Sequence, residues 1–191
     1  MEKMKPTFLG RFLMAALLLG AGVAAASNKD NANLPQSDAD IAKHVRHEVL
    51  MYPYYSIWDD VNFRVTNGQV ELLGAVSQPF KKSDLDRLVR KVPGVTSLTD
   101  ELKVLPLSPN DDRLRLQVAR AIYRDPAFTR YAIRALPPIH IIVDNGHVTL
   151  TGVVSTPMEK ELAGMRASAA GLSFGAVTNN LEVEHPSAKK S

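Results

Sequence analysis

Apolar and polar residues alternate in two neighbouring segments of the chain, and the same arrangement recurs further along. In the first copy the apolar positions are Val61, Phe63 and Val65, then Val70, Leu72 and Val76. In the second copy they are Ile139, Ile141 and Val143, then Val148, Leu150 and Val154. A period of two residues is typical of β-strands with one buried face. The sequence therefore predicts two β-hairpins.

Each predicted hairpin has an Asn-Gly pair between its strands, Asn67-Gly68 in the first copy and Asn145-Gly146 in the second. Both central positions of a type I′ turn need a positive φ, which Asn and Gly tolerate best. We therefore predict a two-residue turn in each copy. Gly74 and Gly152 lie at matching positions of the strands that follow, and we predict that they are structural glycines too.

Apolar residues at helical spacing precede each hairpin and form one face of a predicted helix. They are Ile41, Val45 and Val49 in the first copy and Leu114, Val118, Ala121 and Ile122 in the second. Ser37 or Asp38 can cap the first helix, and Asn110 or Asp111 can cap the second. Short polar side chains of this kind accept hydrogen bonds from the free N–H groups of a helix start.

A second helix and a last strand follow each hairpin. In the first copy the apolar stripe of this helix consists of Leu85, Leu88, Val89 and Val92. In the second copy Thr156-Pro157-Met158-Glu159 is typical of a capping box with proline at the first helical position. The last strands are predicted over residues 96–105 and 174–184.

The two copies are repeats of one module, because residues 63–76 and 141–154 align without a gap. The order of elements in each is helix, strand, strand, helix, strand. We predict an α+β fold of two tandem αββαβ modules, each a three-stranded mixed sheet with two helices on one face. The predicted domains are residues 38–105 and 111–184, joined by a short linker that contains proline.

The first 26 residues are typical of a leader. A basic start, an apolar run from Phe12 to Val23 and three alanines indicate a signal peptide over residues 1–26, cleaved between Ala26 and Ser27. The alternative is a retained membrane anchor, for which the apolar run is short. We therefore predict a periplasmic location.

Charge and cysteine content exclude several classes of function. The predicted leader contains three of the 23 Lys and Arg residues but only one of the 20 Asp and Glu residues, so the rest of the chain is almost neutral. This balance gives no support for nucleic-acid binding. The chain has no cysteine, which excludes disulfides, thiol catalysis and thiolate metal sites.

The order strand, Asn-Gly turn, Val-x-Leu-x-Gly-x-Val, Ser-x-Pro, helix and Leu-x-Val strand resembles the BON domain. The chain is similar to exported double-BON proteins of the hyperosmotically inducible type. This resemblance implies the αββαβ fold, no catalytic activity, a link to osmotic stress and attachment to phospholipid or envelope surfaces. The second copy departs from the pattern, since Leu172-Ser173-Phe174 replaces the Pro93-Gly94-Val95 of the first.

Arginine is concentrated in the second copy, where residues 113–134 contain six arginines and one acidic residue. Arg113, Arg120 and Arg124 are spaced to lie opposite the apolar stripe, and Arg130 and Arg134 follow in the next loop. Guanidinium groups suit phosphate and carboxylate ligands. We predict that these five arginines bind anionic lipid headgroups or an acidic partner. The alternative is a solvated helix face.

Aromatic residues are concentrated in the two long loops that precede the hairpins. The candidates for contact with a membrane or a partner are Trp58, Tyr123, Phe128 and Tyr131. Tyrosine and tryptophan favour membrane–water and protein interfaces. The alternative is that these residues close the edge of a small core or pack the modules together.

No metal, cofactor or catalytic site is predicted. His44 and His47 lie one helical turn apart, but no third ligand has a suitable spacing. Nucleophile-elbow and phosphate-loop patterns are missing from the sequence. We therefore predict a non-enzymatic protein that binds envelope surfaces, with anionic phospholipid as the favoured partner. The alternative is a stress-related adaptor or chaperone-like protein that binds other exported proteins.

Overall fold

The computed structural model describes residues 36–170 and 177–184. The predicted leader and its cleavage point at Ala26-Ser27 lie outside the described residues. Residues 174–176, at the start of the last predicted strand, also lie outside them.

The first module has two helices packed on a small sheet. Its elements are α1 (Asp38–Met51), β1 (Asp60–Thr66), β2 (Gln69–Val76), α2 (Pro79–Val89), β3 (Ser97–Asp100) and β4 (Lys103–Val104). Strand β2 is central, with β1 antiparallel on one side and β3 and β4 parallel to it on the other. Val45 of α1 and Leu85 of α2 share one buried core with Leu72 of β2.

The second module repeats this order. Its elements are α3 (Pro109–Tyr123), α4 (Thr129–Ala132), β5 (Ile139–Asp144), β6 (His147–Val154), α5 (Pro157–Ala170), β7 (Val177–Asn179) and β8 (Glu182–Val183). The loop between α3 and β5 folds into a 3₁₀ turn, Pro126–Phe128, and the short helix α4. The predicted α+β fold of two tandem αββαβ modules is confirmed.

The last strand of each module is broken, where the sequence predicted one continuous strand. In the first module the Asp100 carboxylate accepts a hydrogen bond from the Leu102 amide at 2.9 Å. The Asn179 side chain accepts one from the Leu181 amide at 3.3 Å in the second. At these two points a backbone amide bonds to a side chain instead of to the central strand. Pairing with the central strand is therefore interrupted between β3 and β4 and between β7 and β8.

Both hairpin turns have the predicted geometry. Asn67 and Gly68 have φ of 52° and 75°, and Asn145 and Gly146 have φ of 50° and 81°. Positive φ at both central positions identifies type I′ turns. Each turn is also bound to the start of a helix. The Asp38 carboxylate accepts hydrogen bonds from both amides of the first turn, and the Asp111 carboxylate accepts both from the second.

The prediction that Asn110 or Asp111 caps α3 was wrong. The Ser108 hydroxyl caps this helix by accepting a hydrogen bond from the Asp111 amide at 3.3 Å, and Pro109 is the first helical residue. The Asp111 side chain instead accepts hydrogen bonds from the amides of the distant hairpin turn. The caps predicted elsewhere are confirmed: Ser37 caps α1, and Thr156 and Glu159 form a reciprocal capping box at α5.

The helix-free faces of the two sheets meet at a small joint, and both modules belong to one compact unit. Ala75, Leu105 and Ile142 form a buried apolar cluster there, apart from the two module cores. The Ile141 amide donates to the Ile57 carbonyl oxygen at 2.7 Å, so the first module contacts an edge strand of the second. The His140 Nδ1 lies 2.5 Å from the Asp59 carbonyl oxygen.

Candidate anionic-surface site

Helix α3 has one buried face and one basic face. Leu114, Val118 and Ile122 are buried in the core of the second module. Arg113, Arg120 and Arg124 are exposed on the other side, as their spacing predicts. Among the described residues, none of these three arginines has an acidic partner within ion-pair distance. Their charge is therefore available to an external anion.

A groove of about 490 Å³ lies beside this face, between α3 and α5. Three alanines, Pro126 and Asp125 line it together with the basic side chains of Arg120, Arg124 and Arg166. Arg166 donates to the Asp125 carboxylate at 2.7 Å. The pKa of Asp125 lies below its ordinary value, mainly because the carboxylate accepts a hydrogen bond from the Ala127 amide and, to a lesser extent, because it accepts one from Arg166. Arg120 and Arg124 have no such carboxylate among the described residues.

Arg115 has a structural role, although it belongs to the same arginine-rich segment. It is buried, and its guanidinium donates to the Val143 carbonyl oxygen at 2.9 Å and to the Asp112 carboxylate at 2.5 Å. It lines a cleft of about 230 Å³ between the modules, together with Trp58 and Gln78. Since Asp112 and Arg115 neutralise each other, this cleft has no surplus charge.

Arg130 and Arg134 both lie close to the Tyr131 ring. Their guanidinium carbons are 4.8 and 5.5 Å from its centroid, which is cation–π distance. Arg130 also donates to the Glu159 carboxylate at 2.5 Å. These two arginines are exposed, but they belong to the end of the module rather than to the face of α3.

The structure does not place the candidate aromatic residues on the surface. Phe128 and Tyr131 are 0% and 2% exposed and belong to the second core. The partly buried Tyr123 donates to the Ile139 carbonyl oxygen at 2.5 Å, and burial raises the pKa of its phenol. Trp58, also partly buried, packs against the second core although it comes from the first module. These side chains close a small core because the sheet alone cannot cover its apolar face.

Sequence reasoning missed several exposed apolar side chains. They are Ile133 and Met158 in the second module and Phe80 in the first, where Phe80 lies beside the exposed loop residue Tyr54. The Tyr54 and Phe80 rings meet edge to face with centroids 5.5 Å apart. Phe80 and Met158 occupy matching positions after Pro79 and Pro157, so the alignment of the repeats could have shown this recurrence.

A buried ion pair in the first module was also missed. The Asp59 carboxylate lies 2.7 Å from the Lys81 ammonium. It also accepts hydrogen bonds from the Ser77 amide and hydroxyl and from the Ser56 amide. The network binds the loop before β1 to the start of α2, and its members are too far apart in sequence for a local pattern to reveal it. Both oxygens of the Asp59 carboxylate have partners within this network, so we assign Asp59 a structural role.

The histidines do not form a metal site in the described part of the chain. Within residues 36–170 and 177–184, no three His, Cys, Asp or Glu side chains come close enough together to hold a metal ion. His44 and His47 are exposed on α1. His140 pairs across the hairpin with Thr151 and His147 with Asp144, so the two histidines do not face each other. Among the described helices, none is long and apolar enough to cross a membrane.

Two small repeated α+β modules, with exposed arginines on one helix face of the second, define a tandem-module protein. Residues 37–106 and 110–185 each match the BON domain, and together these matches span most of the chain. The chain therefore belongs to the BON domain family. This is a family of non-catalytic binding domains with membrane- and envelope-related roles.

Two solved structures of CdsD, a structural protein of the type III secretion system of Chlamydia trachomatis, are similar to this chain. One, of the C-terminal domain, is 20% identical, covers 78% of this chain and 67% of its own, and has a TM-score of 0.30. The other is 17% identical, covers 76% and 92%, and has a TM-score of 0.27. Likenesses this distant carry no argument about function. No curated protein matches the chain.

Proposed function

We propose that this protein is a periplasmic, non-enzymatic binding protein that attaches peripherally to anionic phospholipid through the exposed arginines of α3. Arg113, Arg120 and Arg124 share one exposed helix face and lack acidic partners among the described residues. Guanidinium groups bind phosphate oxygens with paired hydrogen bonds, and an anionic leaflet attracts clustered cations. Family membership supports a membrane- or envelope-related role.

The comparison between repeats carries this proposal. When the buried stripes of α1 and α3 are aligned, Arg113, Arg120 and Arg124 correspond to Asp40, His47 and Met51. The first module has the same fold with these other residues, so the fold does not require arginine there. Arginine at these three positions occurs only in the second copy, which is better explained by what the side chains contact than by what they stabilise.

Export is part of the same proposal. The apolar run and small residues of the first 26 positions are the sequence signals for cleavage between Ala26 and Ser27. N-terminal sequencing of the protein from the periplasmic fraction tests this step. A chain that keeps its first 26 residues and stays with the membrane in high salt would contradict it.

The lipid proposal is tested by Arg120→Ser/Arg124→Ser in flotation with phosphatidylglycerol vesicles at low salt. Each arginine near an anionic leaflet contributes about 1 kcal/mol, so the double variant should bind roughly 30-fold more weakly. The matched control is Arg87→Ser/Arg90→Ser in α2, which removes equal charge from exposed arginines already paired with Asp84 and Asp86. Equal losses in the two variants would contradict a specific α3 site.

Binding to other exported proteins is the second candidate, and the exposed Tyr54–Phe80 pair is the observation that favours it. Two aromatic rings on the surface are typical of a protein contact. Tyr54→Ser/Phe80→Ser should then abolish protection of an unfolded exported client from aggregation, while vesicle binding stays unchanged. Full protection by this double variant would remove the candidate.

A further inference from the structure

The end of the second module has two unusually exposed apolar side chains. Ile133, just after α4, is 80% exposed, and Met158, in the first turn of α5, is 79% exposed. These are the highest values among the large apolar residues that the structure describes. Exposed apolar surface that is rimmed by polar residues often marks a contact site.

Ile133 and Met158 belong to one end because α4 is bound to the start of α5. The Tyr131 hydroxyl donates to the Glu159 carboxylate at 2.9 Å and accepts a hydrogen bond from the Ser155 amide at 2.9 Å. The Tyr131 ring is buried beside Phe128. These hydrogen bonds therefore hold together the two segments that carry Ile133 and Met158.

The charges at this end are basic. Arg130 and Arg134 both lie close to the Tyr131 ring, and the Arg130 side chain is still 53% exposed although it contacts Glu159. The Glu159 carboxylate is largely enclosed and accepts hydrogen bonds from the Ser155 and Thr156 amides. Glu159 therefore offsets part of the charge of Arg130, whereas Arg134 has no ion-pair partner among the described residues.

We propose that this end of the module, formed by Ile133, Met158, Arg130 and Arg134 and here called the apolar tip, inserts into an anionic bilayer. Ile133 and Met158 enter the boundary between headgroups and acyl chains, and the two arginines contact lipid phosphates. Exposed apolar residues beside exposed cations are the combination that interfacial membrane binding needs. The inference rests on the proposed lipid function and adds the point and depth of contact.

The matching end of the first module differs in the packing of its apolar side chain and in its charged neighbours. Phe80, the counterpart of Met158, packs edge to face on Tyr54. The nearby Arg87 pairs with Asp84, whose carboxylate also accepts a hydrogen bond from Tyr52. This end is apolar without the flanking arginines, so it provides an internal control.

The absence of cysteine makes a direct test possible, because one introduced thiol can be labelled alone. Ile133→Cys, Met158→Cys and Phe80→Cys would each carry an environment-sensitive fluorophore and be mixed with phosphatidylglycerol vesicles. Labels at positions 133 and 158 should brighten at least about twofold and be quenched by lipids brominated on the acyl chains. The label at position 80 should not change.

The outcomes separate the tip from the proposed function itself. Flotation of the same labelled proteins reports binding independently of depth. Bound protein with unchanged labels at 133 and 158 would overturn the tip and leave lipid binding by α3 intact; the exposed side chains would then fit a protein partner. Failure of all three proteins to float, with unchanged folding by circular dichroism, would overturn both. Equal quenching at position 80 would also overturn the tip.

Discussion

Single residues with unusual backbone geometry fix the shape of each hairpin. Gly152 has φ of 105°, and a Cβ built there would lie 1.9 Å from the Pro138 carbonyl oxygen. Gly74 repeats this in the first module, with φ of 111° and 2.1 Å to the Asp60 carbonyl oxygen. The close approach of two backbones explains why both copies have glycine at this position.

Gly152→Ala is therefore expected to lower the free energy of unfolding by at least about 2 kcal/mol, because it adds a backbone clash to a strained φ. Urea denaturation followed by circular dichroism measures the change. Val153→Ala is the control at the next position, where the side chain is partly exposed. If Gly152→Ala unfolded at the same urea concentration as the unsubstituted protein, the close approach of the two backbones would not require glycine.

Residue identity alone did not predict where the aromatic side chains lie. Phe128 and Tyr131 are buried because Asp125 caps a 3₁₀ turn that directs the loop back over the sheet. Ile133, only two positions later, is exposed. Loop residues lack the periodicity that separates a buried face from an exposed one, so composition could not distinguish these cases.

At the scale of elements, periodic segments were predictable and long-range bonds were not. The stripe of α3 and its opposite arginines followed from helical spacing. The cap of the same helix did not, because Ser108, Asn110 and Asp111 are all good capping residues. The choice depends on Asp111 being used by the turn at Asn145, a contact between segments 34 residues apart.

The start of α5 gives the fold a pH dependence through Glu159. Burial raises the pKa of this carboxyl, but the bond from Tyr131, the charge of Arg130 and the bonds from two backbone amides together lower it below 4.5. A lowered folded-state pKa stabilises the fold above the ordinary value, and that contribution is lost as the pH falls through the lowered pKa.

Stability should therefore decline as the pH falls below about 4.5, and Glu159→Gln should reduce the size of this decline. Thermal unfolding between pH 7 and pH 3 measures both proteins. The variant should also be less stable at pH 7, since its neutral amide bonds Arg130 less strongly. Parallel pH curves for the two proteins would contradict this role of Glu159.

At the scale of the whole molecule, the two modules have the same fold but different surfaces. The joint of Ala75, Leu105 and Ile142 uses the helix-free faces, so the helices of both modules remain available for contacts. The sequence predicted two modules but not how they meet, because each joint residue occupies an ordinary alternating strand or linker position. The basic face and the apolar tip occur in the second module, whereas the buried Asp59–Lys81 pair occurs in the first.

The central claim is that the surface of the second module attaches the protein to anionic lipid. The most direct measurement is flotation of residues 27–191 with phosphatidylglycerol vesicles and with phosphatidylcholine vesicles over a range of salt concentrations. Attachment should occur only with the anionic vesicles and should weaken as salt screens the arginines. Equal recovery with both lipids, or no recovery with either at low salt, would contradict the claim.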